Sequence, residues 1–371
     1  MDAFTVFLIL FFGIGAAIPA LWSGIGYLMG NKRFWPGSLG MLWAIGLLVV
    51  TFAGIFTNWG GCPTCGCTGA EGSVQCYRKM GDKEAACKPD VWMLECRQAD
   101  AGCVTTVSPG YCPAGQIAVF PFCERIQRGG VKQPWATWSD LSFVAAGLWL
   151  LWFLHFYERS ERPGEEEPVA DNPMRMIGWL SVIYGMVIIF MGPPSQWYHA
   201  SMKAWAGWFD SMSVVIWLTF NAVYVIYMLF CTMWDRGRGK MQTRIVLGVW
   251  GAIVVICAFF ALKPATRTPL YFVGGVPWGI AEFVYLGFSF GSKKVVYRRH
   301  AGWFIANVSV LAVTMLIWGF WNDSLIHTSC VGRAGFPGHA VFHIMASFST
   351  VLTFFSFASE RKEPPTVLRL G

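Results

Sequence analysis

The chain has 371 residues, of which 55% are hydrophobic and only 13% are charged, with 28 Lys and Arg against 21 Asp and Glu. Soluble domains carry charge on about a quarter of their residues, so this composition excludes a soluble globular enzyme, a disordered chain and a coiled coil. The net charge of +7 bears on which side of a membrane the loops face, and no nucleic-acid partner is expected.

Long apolar segments recur along the chain, and a helix needs about 20 apolar residues to cross a bilayer. The sequence predicts an all-α membrane protein. Its nine spans are 3–29, 37–57, 138–157, 174–198, 207–233, 242–262, 271–290, 302–321 and 337–358. No Lys or Arg precedes Lys32, whereas a secretory signal begins with a basic stretch. We therefore expect the first span to be a retained helix.

The basic residues of the short loops indicate the orientation, because Lys and Arg favour the cytoplasmic side. With nine spans, the main basic clusters all fall on one face, which also holds the C-terminal tail. These clusters lie at 32–33, 159–175, 236–244, 293–299 and 361–369. We expect an integral, multi-pass protein with its N-terminus outside and its C-terminus in the cytoplasm.

Residues 58–137 form a long polar insert after the second span, on the predicted extracytoplasmic side. The insert holds nine of the 12 cysteines, and Cys330 lies in another loop on the same side. An even number of cysteines in an oxidising compartment favours disulfides, here up to five, with several possible pairings. The run Cys62-x-x-Cys65-x-Cys67 could instead bind zinc or an iron–sulfur cluster.

Some polar residues in the predicted spans are expected to be structural. Cys231 and Cys257 lie in or near apolar segments, where we expect buried thiols. Glu282 lies within the seventh span. We expect it to accept a hydrogen bond from a Trp or Tyr, because buried polar groups normally find a partner.

Three of the six histidines lie at the predicted outer ends of spans. His339 and His343 are four residues apart at the start of the ninth span, so they share one helix face, and His199 ends the fourth span. Three imidazoles with an open fourth position are typical of a catalytic zinc site, where the metal activates water and polarises a carbonyl. The sequence therefore predicts zinc held by His199, His339 and His343.

Two more polar residues fall at the same predicted depth. Asp210 begins the fifth span and could act as a general base. Ser195 lies four residues before His199 and could hydrogen-bond a developing oxyanion. With the histidines, these residues predict hydrolysis of an amide or ester without a covalent intermediate. The alternative is that all five are structural polar groups of a helix bundle.

At these residues the sequence resembles the alkaline ceramidase family, within a wider group of membrane hydrolases that includes the adiponectin and progestin receptors. The family's Ser-x-x-x-His matches Ser195 and His199, its next helix begins with an Asp that matches Asp210, and its closing His-x-x-x-His matches His339 and His343. Shorter similar runs lie at 123–124, 135–142 and 320–330, so that the resemblance covers about residues 120–360.

The resemblance implies a seven-helix hydrolase core with zinc on the three histidines, Asp210 as general base and Ser195 as oxyanion helper. The implied substrate is a ceramide-like lipid amide in the bilayer, cleaved to a sphingoid base and a fatty acid. Where the family has residues that hold calcium, this sequence has Gln133 and Ala136, so no calcium site is expected. A proline pair directly before Ser195 also departs from the family and is expected to bend or restart that helix.

The expected organisation has four parts: an N-terminal helix pair (1–57), the Cys-rich insert (58–137), a seven-span ceramidase-like core (138–359) and a cytoplasmic tail (360–371). Two other functions fit the same sequence. One is a receptor or binding protein on the same scaffold. The other is an accessory subunit of a membrane complex, docking a protein partner through the Cys-rich insert.

Overall fold

The structure is a computed structural model. It describes residues 3–57, 59, 95–98, 116–119, 131, 133–157, 172–174, 178–201, 204–234, 240–262, 264–291, 296–321 and 338–363. Apart from Cys96, which lies in a described strand, the cysteines of the predicted disulfides lie outside these residues. So do the alternative metal site at Cys62–Cys67 and the loop with Cys330.

The described part of the chain is built almost entirely from α-helices. They are α1 Ala3–Leu28, α2 Trp35–Phe56, α3 Pro134–Ser139, α4 Leu141–Tyr157, α5 Trp179–Ser201, α6 Ala204–Trp234, α7 Lys240–Phe260, α8 Pro264–Gly291, α9 Ala301–Trp321 and α10 Gly338–Ala358. Each predicted span coincides with a helix. The third differs in form, because its helical stretch already begins at Pro134, inside the predicted insert, and breaks into α3 and α4 at Asp140.

Four short strands, none of them predicted, form two antiparallel pairs. The strands are β1 Glu95–Gln98, β2 Gln116–Val119, β3 Val296–Arg298 and β4 Arg361–Glu363. β1 pairs with β2 inside the insert, and β3 pairs with β4. The second pair joins the segment before α9 to the segment after α10, which positions the polar residues at that end of the bundle.

Eight helical stretches among the described residues are long and apolar enough to cross a membrane, which confirms an all-α, multi-pass membrane protein. The remaining long helix, α5, is not one of the eight. It has 23 residues, long enough to span a bilayer, but it carries polar side chains and two prolines. Because its buried residues run almost without interruption from Leu180 to Ser201, protein surrounds it rather than lipid.

The outward faces of the bundle are apolar. Large side chains such as Leu28, Phe283 and Val255 are exposed by 86%, 79% and 69%, as expected for surfaces that contact lipid tails. The interior is formed mainly by α4, α5, α6 and α10. Cys231 and Cys257 are buried free thiols, so that prediction is confirmed.

The N-terminal helices α1 and α2 pack directly against α4 and α5. Gly40 of α2 permits this close approach, because a side chain there would collide with Leu151 of α4. Buried Thr51 of α2 also accepts a hydrogen bond of 2.8 Å from the indole N–H of Trp197 in α5. The pair is therefore an integral part of the bundle.

A buried ion cluster closes one end of the bundle, which we call the arginine end. The Arg299 guanidinium pairs with the carboxylates of Glu282 and Glu360, and the Tyr224 hydroxyl donates to Glu360 over 2.9 Å. Burial alone would lower the pKa of Arg299, but the two glutamates outweigh it and raise that pKa above its ordinary value. Trp278 donates to Glu282 over 3.0 Å, which confirms the predicted aromatic partner.

Candidate metal centre

The three predicted histidines meet at the opposite end of the bundle, which we call the histidine end. His199 lies in the last turn of α5, and His339 and His343 lie in the first turns of α10. All three are buried, with exposures of 1%, 5% and 4%. Each offers a ring nitrogen within 4.8 Å of the other two, so together they could hold one metal ion.

The His199 and His339 rings face each other through their Nε2 atoms. Nε2 of His339 lies 3.1 Å from Nε2 of His199. Ligand nitrogens of a tetrahedral zinc ion, at Zn–N distances of about 2.0–2.1 Å, are separated by roughly 3.3–3.4 Å. Nitrogens that face each other this closely must share either a proton or a cation, and three neutral imidazoles are a donor set that zinc accepts. The residues present therefore fit the metal.

The outer nitrogen of His343 is surrounded by oxygen atoms. Its Nδ1 lies 2.9 Å from Oδ1 of Asp140, 2.9 Å from the Ser139 hydroxyl and 3.2 Å from the carbonyl of Ala136. The Ser139 hydroxyl itself donates to the same carbonyl over 2.8 Å. All three oxygens therefore act as acceptors toward the ring, which places the proton on Nδ1 and leaves the Nε2 lone pair for a metal.

His199 is held in the same way from the start of α3. Its Nδ1 lies 2.7 Å from Oε1 of the fully buried Gln133, so this nitrogen carries the proton and donates it. The backbone N–H of Gln133 also donates to the His199 carbonyl over 3.1 Å. The position that the ceramidase resemblance associates with calcium is thus occupied by an amide bound to the histidine.

A glycine brings α5 close to the break between α3 and α4. A side chain at Gly192 would come within 2.7 Å of the Asp140 carbonyl oxygen. The proline pair follows directly, yet α5 does not restart there, because both prolines lie inside one continuous helix. Ser195 and His199 are therefore carried on one rigid element.

The two predicted catalytic residues also lie at the histidine end. Ser195 is buried, and its hydroxyl lies beside the carboxylates of both Asp210 and Asp140. Asp210 in α6 is only half-buried and lies within electrostatic range of His343 and Arg267. Three separate helices thus bring the five predicted residues to one place.

Sequence reasoning missed Asp140 and Gln133 as members of this site. Asp140 was visible only as an acid at the beginning of a predicted helix, and nothing in the spacing linked it to a histidine 203 residues away. The available signal was the cost of burying a carboxylate in a membrane span, which usually indicates a partner or a function.

Comparisons with protein-family models, with curated proteins and with solved structures find no match for this chain. The proposals below therefore depend on the geometry of the site and on the resemblance of its motifs.

Proposed function

We propose that this protein is a zinc-dependent hydrolase that cleaves a ceramide-like lipid amide within the membrane. The observation that carries the proposal is the meeting of three buried histidines with Asp210 and Ser195 at one end of a transmembrane bundle. When bound at such a site, zinc supplies an activated water molecule and polarises the carbonyl group.

Asp210 is the residue that favours a hydrolase over a purely structural metal site. A structural zinc site is closed by four protein ligands, whereas the metal-binding group found among the described residues has three members. Asp210 lies within electrostatic range of His343 but is not a member of that group, so its carboxylate is left to exchange a proton. Its role in the proposal is to accept that proton as general base.

Ser195 has a different role, because its hydroxyl has only one proton to donate. The two carboxylates beside it compete for that proton. Protonation of Asp210 would remove one of these two competitors and so make the Ser195 proton more available to a developing oxyanion. The proposal thus assigns the serine a hydrogen bond that changes partner during the reaction.

The membrane setting supports a lipid substrate. The bundle is surrounded by apolar surface, and the site lies at one end of its spans. A lipid lying in the bilayer presents its amide near the headgroup boundary, at the depth of helix ends. The sphingoid nature of the lipid comes from the motif resemblance alone.

The first test is the metal content and activity of the purified protein. We expect about one zinc ion per chain, as a three-histidine site requires, and release of a fatty acid from a fluorescent ceramide. Asp210→Asn should lower that turnover by about 10²- to 10⁴-fold, the usual contribution of a general base, and should leave the zinc content unchanged.

Each other outcome has a definite meaning. Protein that holds no zinc after purification and reconstitution contradicts the proposal. Zinc-bearing protein that turns over no lipid amide, with or without Asp210, identifies a receptor or binding protein instead. Turnover that persists in Asp210→Asn assigns the proton transfer to a different group.

A further inference from the structure

We infer that Asp140 is a positioning residue of the metal centre, whose carboxylate holds His343 in the orientation that binds the ion. The inference rests on the metal site of the proposed function and adds to it a charged residue that does not touch the ion. It also predicts that the short segment around α3 belongs to the site.

The first step is the geometry of the His343 ring. Asp140 is fully buried, and its Oδ1 lies 2.9 Å from Nδ1 of His343. Because Ser139 and Ala136 also present acceptor oxygens to that nitrogen, a flipped ring would place the Cδ2–H group against three oxygens, and the other tautomer would place a lone pair there. The segment therefore favours the orientation and tautomer in which Nδ1 carries the proton and Nε2 is left to bind a metal.

The second step is the charge of Asp140. A carboxylate enclosed by protein is unfavourable unless a positive charge compensates it. Among the described residues, the partner within ion-pairing distance is the imidazole of His343, which belongs to the candidate metal centre. A divalent cation on Nε2 would add positive charge through the ring, so the buried acid would favour metal binding.

The third step is a comparison of the two anchors in the same segment. Gln133 accepts a hydrogen bond from Nδ1 of His199 with a neutral amide oxygen at 2.7 Å, whereas Asp140 places a carboxylate oxygen 2.9 Å from Nδ1 of His343. Both fix a ring, but only Asp140 adds negative charge and makes its histidine a more basic ligand. Partners of metal-bound histidines typically contribute 10- to 100-fold in metal affinity, and we expect Asp140 to contribute more than Gln133.

The test measures zinc affinity, by competition with a chromophoric chelator, for full-length protein in detergent micelles. We expect Asp140→Ala to weaken zinc binding by about 10- to 100-fold. Asp140→Asn, which retains an acceptor oxygen but not the charge, should fall between Asp140→Ala and the wild type. Ser142→Ala is the matched control, because Ser142 is a buried polar residue of the same segment and should leave the affinity unchanged.

A second readout separates positioning from simple structural damage. Cobalt in place of zinc should give a visible absorption spectrum that depends on ligand geometry, and Asp140→Asn should shift that spectrum while the thermal unfolding midpoint of the metal-free protein stays constant. If Asp140→Ala does not fold, the Asp140→Asn affinity and spectrum decide the question.

Unchanged zinc affinity and an unchanged cobalt spectrum in the Asp140 variants would overturn this inference alone. Failure of the wild type to bind zinc would overturn the proposed function as well, and the role of Asp140 with it. A wild type that binds zinc tightly but hydrolyses no lipid amide leaves the positioning role intact, because affinity and spectrum report on it directly.

Discussion

The two ends of the bundle each bury a polar cluster, and the clusters differ in how their charges are compensated. At the arginine end, the Arg299 guanidinium faces two carboxylates, and Tyr224 and Trp278 donate hydrogen bonds to them. At the histidine end, three imidazoles converge, with the Nε2 atoms of His199 and His339 3.1 Å apart, and an acid, Asp140, lies within ion-pairing distance of His343.

This difference separates a cluster whose charges compensate each other from one arranged to bind a cation. A buried ion pair with its hydrogen bonds in place is held by its own members, and removing one member leaves a costly unpaired charge. The facing ring nitrogens of His199 and His339, with an acid beside the neighbouring ring of His343, would gain from an added cation. The pattern at the arginine end indicates a structural role, and the pattern at the histidine end indicates a binding site.

The largest expected effect is on the histidine cluster, formed by His199, His339 and His343. His339→Ala should abolish zinc binding and lipid amide turnover, because two remaining histidines do not form a three-ligand site. The fold should persist, since the other two histidines have protein contacts of their own, to Gln133 and Asp140. Metal analysis and circular dichroism on the same sample check this prediction.

His300→Ala is the control for that variant, because His300 is an exposed histidine outside the cluster. Zinc retained by His339→Ala, at the level found in His300→Ala, would show that His339 is not a ligand.

The next largest effect concerns the ion cluster at the arginine end, formed by Arg299, Glu282 and Glu360. Arg299→Met should destabilise the protein by about 3–5 kcal/mol, because it leaves two buried carboxylates without their cation. Zinc bound per folded chain should not change. The thermal unfolding midpoint in micelles measures the loss, and Arg361→Met, at an exposed arginine in β4, should leave the midpoint nearly unchanged.

Adding Glu282→Gln and Glu360→Gln to Arg299→Met should restore part of the lost stability, because the uncompensated charges are then gone. If the triple variant is no more stable than Arg299→Met, charge compensation does not explain the role of the cluster.

The smallest expected effect lies near the histidine end but outside the cluster. Thr51→Val should cost about 1–3 kcal/mol, because the Trp197 indole N–H is left buried without an acceptor. Thr57→Val is the control, since Thr57 is exposed and bonds only to carbonyls of its own helix. Equal unfolding midpoints for the two variants would contradict the importance of this contact.

Much of the fold could be predicted because hydrophobic length along the chain is a one-dimensional signal. Each predicted span became a helix, and the depth of His199, His339 and Asp210 followed from their places near helix ends. The sequence gives depth but not the direction in which a helix face points. Contacts around the bundle, such as Asp140 with His343, were therefore invisible.

The arginine end shows the same limit of prediction from sequence. Glu282 was expected to find an aromatic partner and did so in Trp278. Arg299, however, was counted as one of several basic loop residues that indicate the cytoplasmic face. Only the pairing of β3 with β4, which no periodicity predicted, reveals that this arginine is buried between two acids.

The close packing of α2 against α4 and α5 has a practical consequence for the design of shortened versions of the protein. A shortened version that starts after residue 57 would leave Leu151 without its contact at Gly40 and the Trp197 indole N–H without its acceptor, Thr51. Acyl chains offer no hydrogen-bond acceptor to that indole. The smallest version worth expressing therefore begins with the first helix, however dispensable that helix looks beside the seven that resemble a hydrolase.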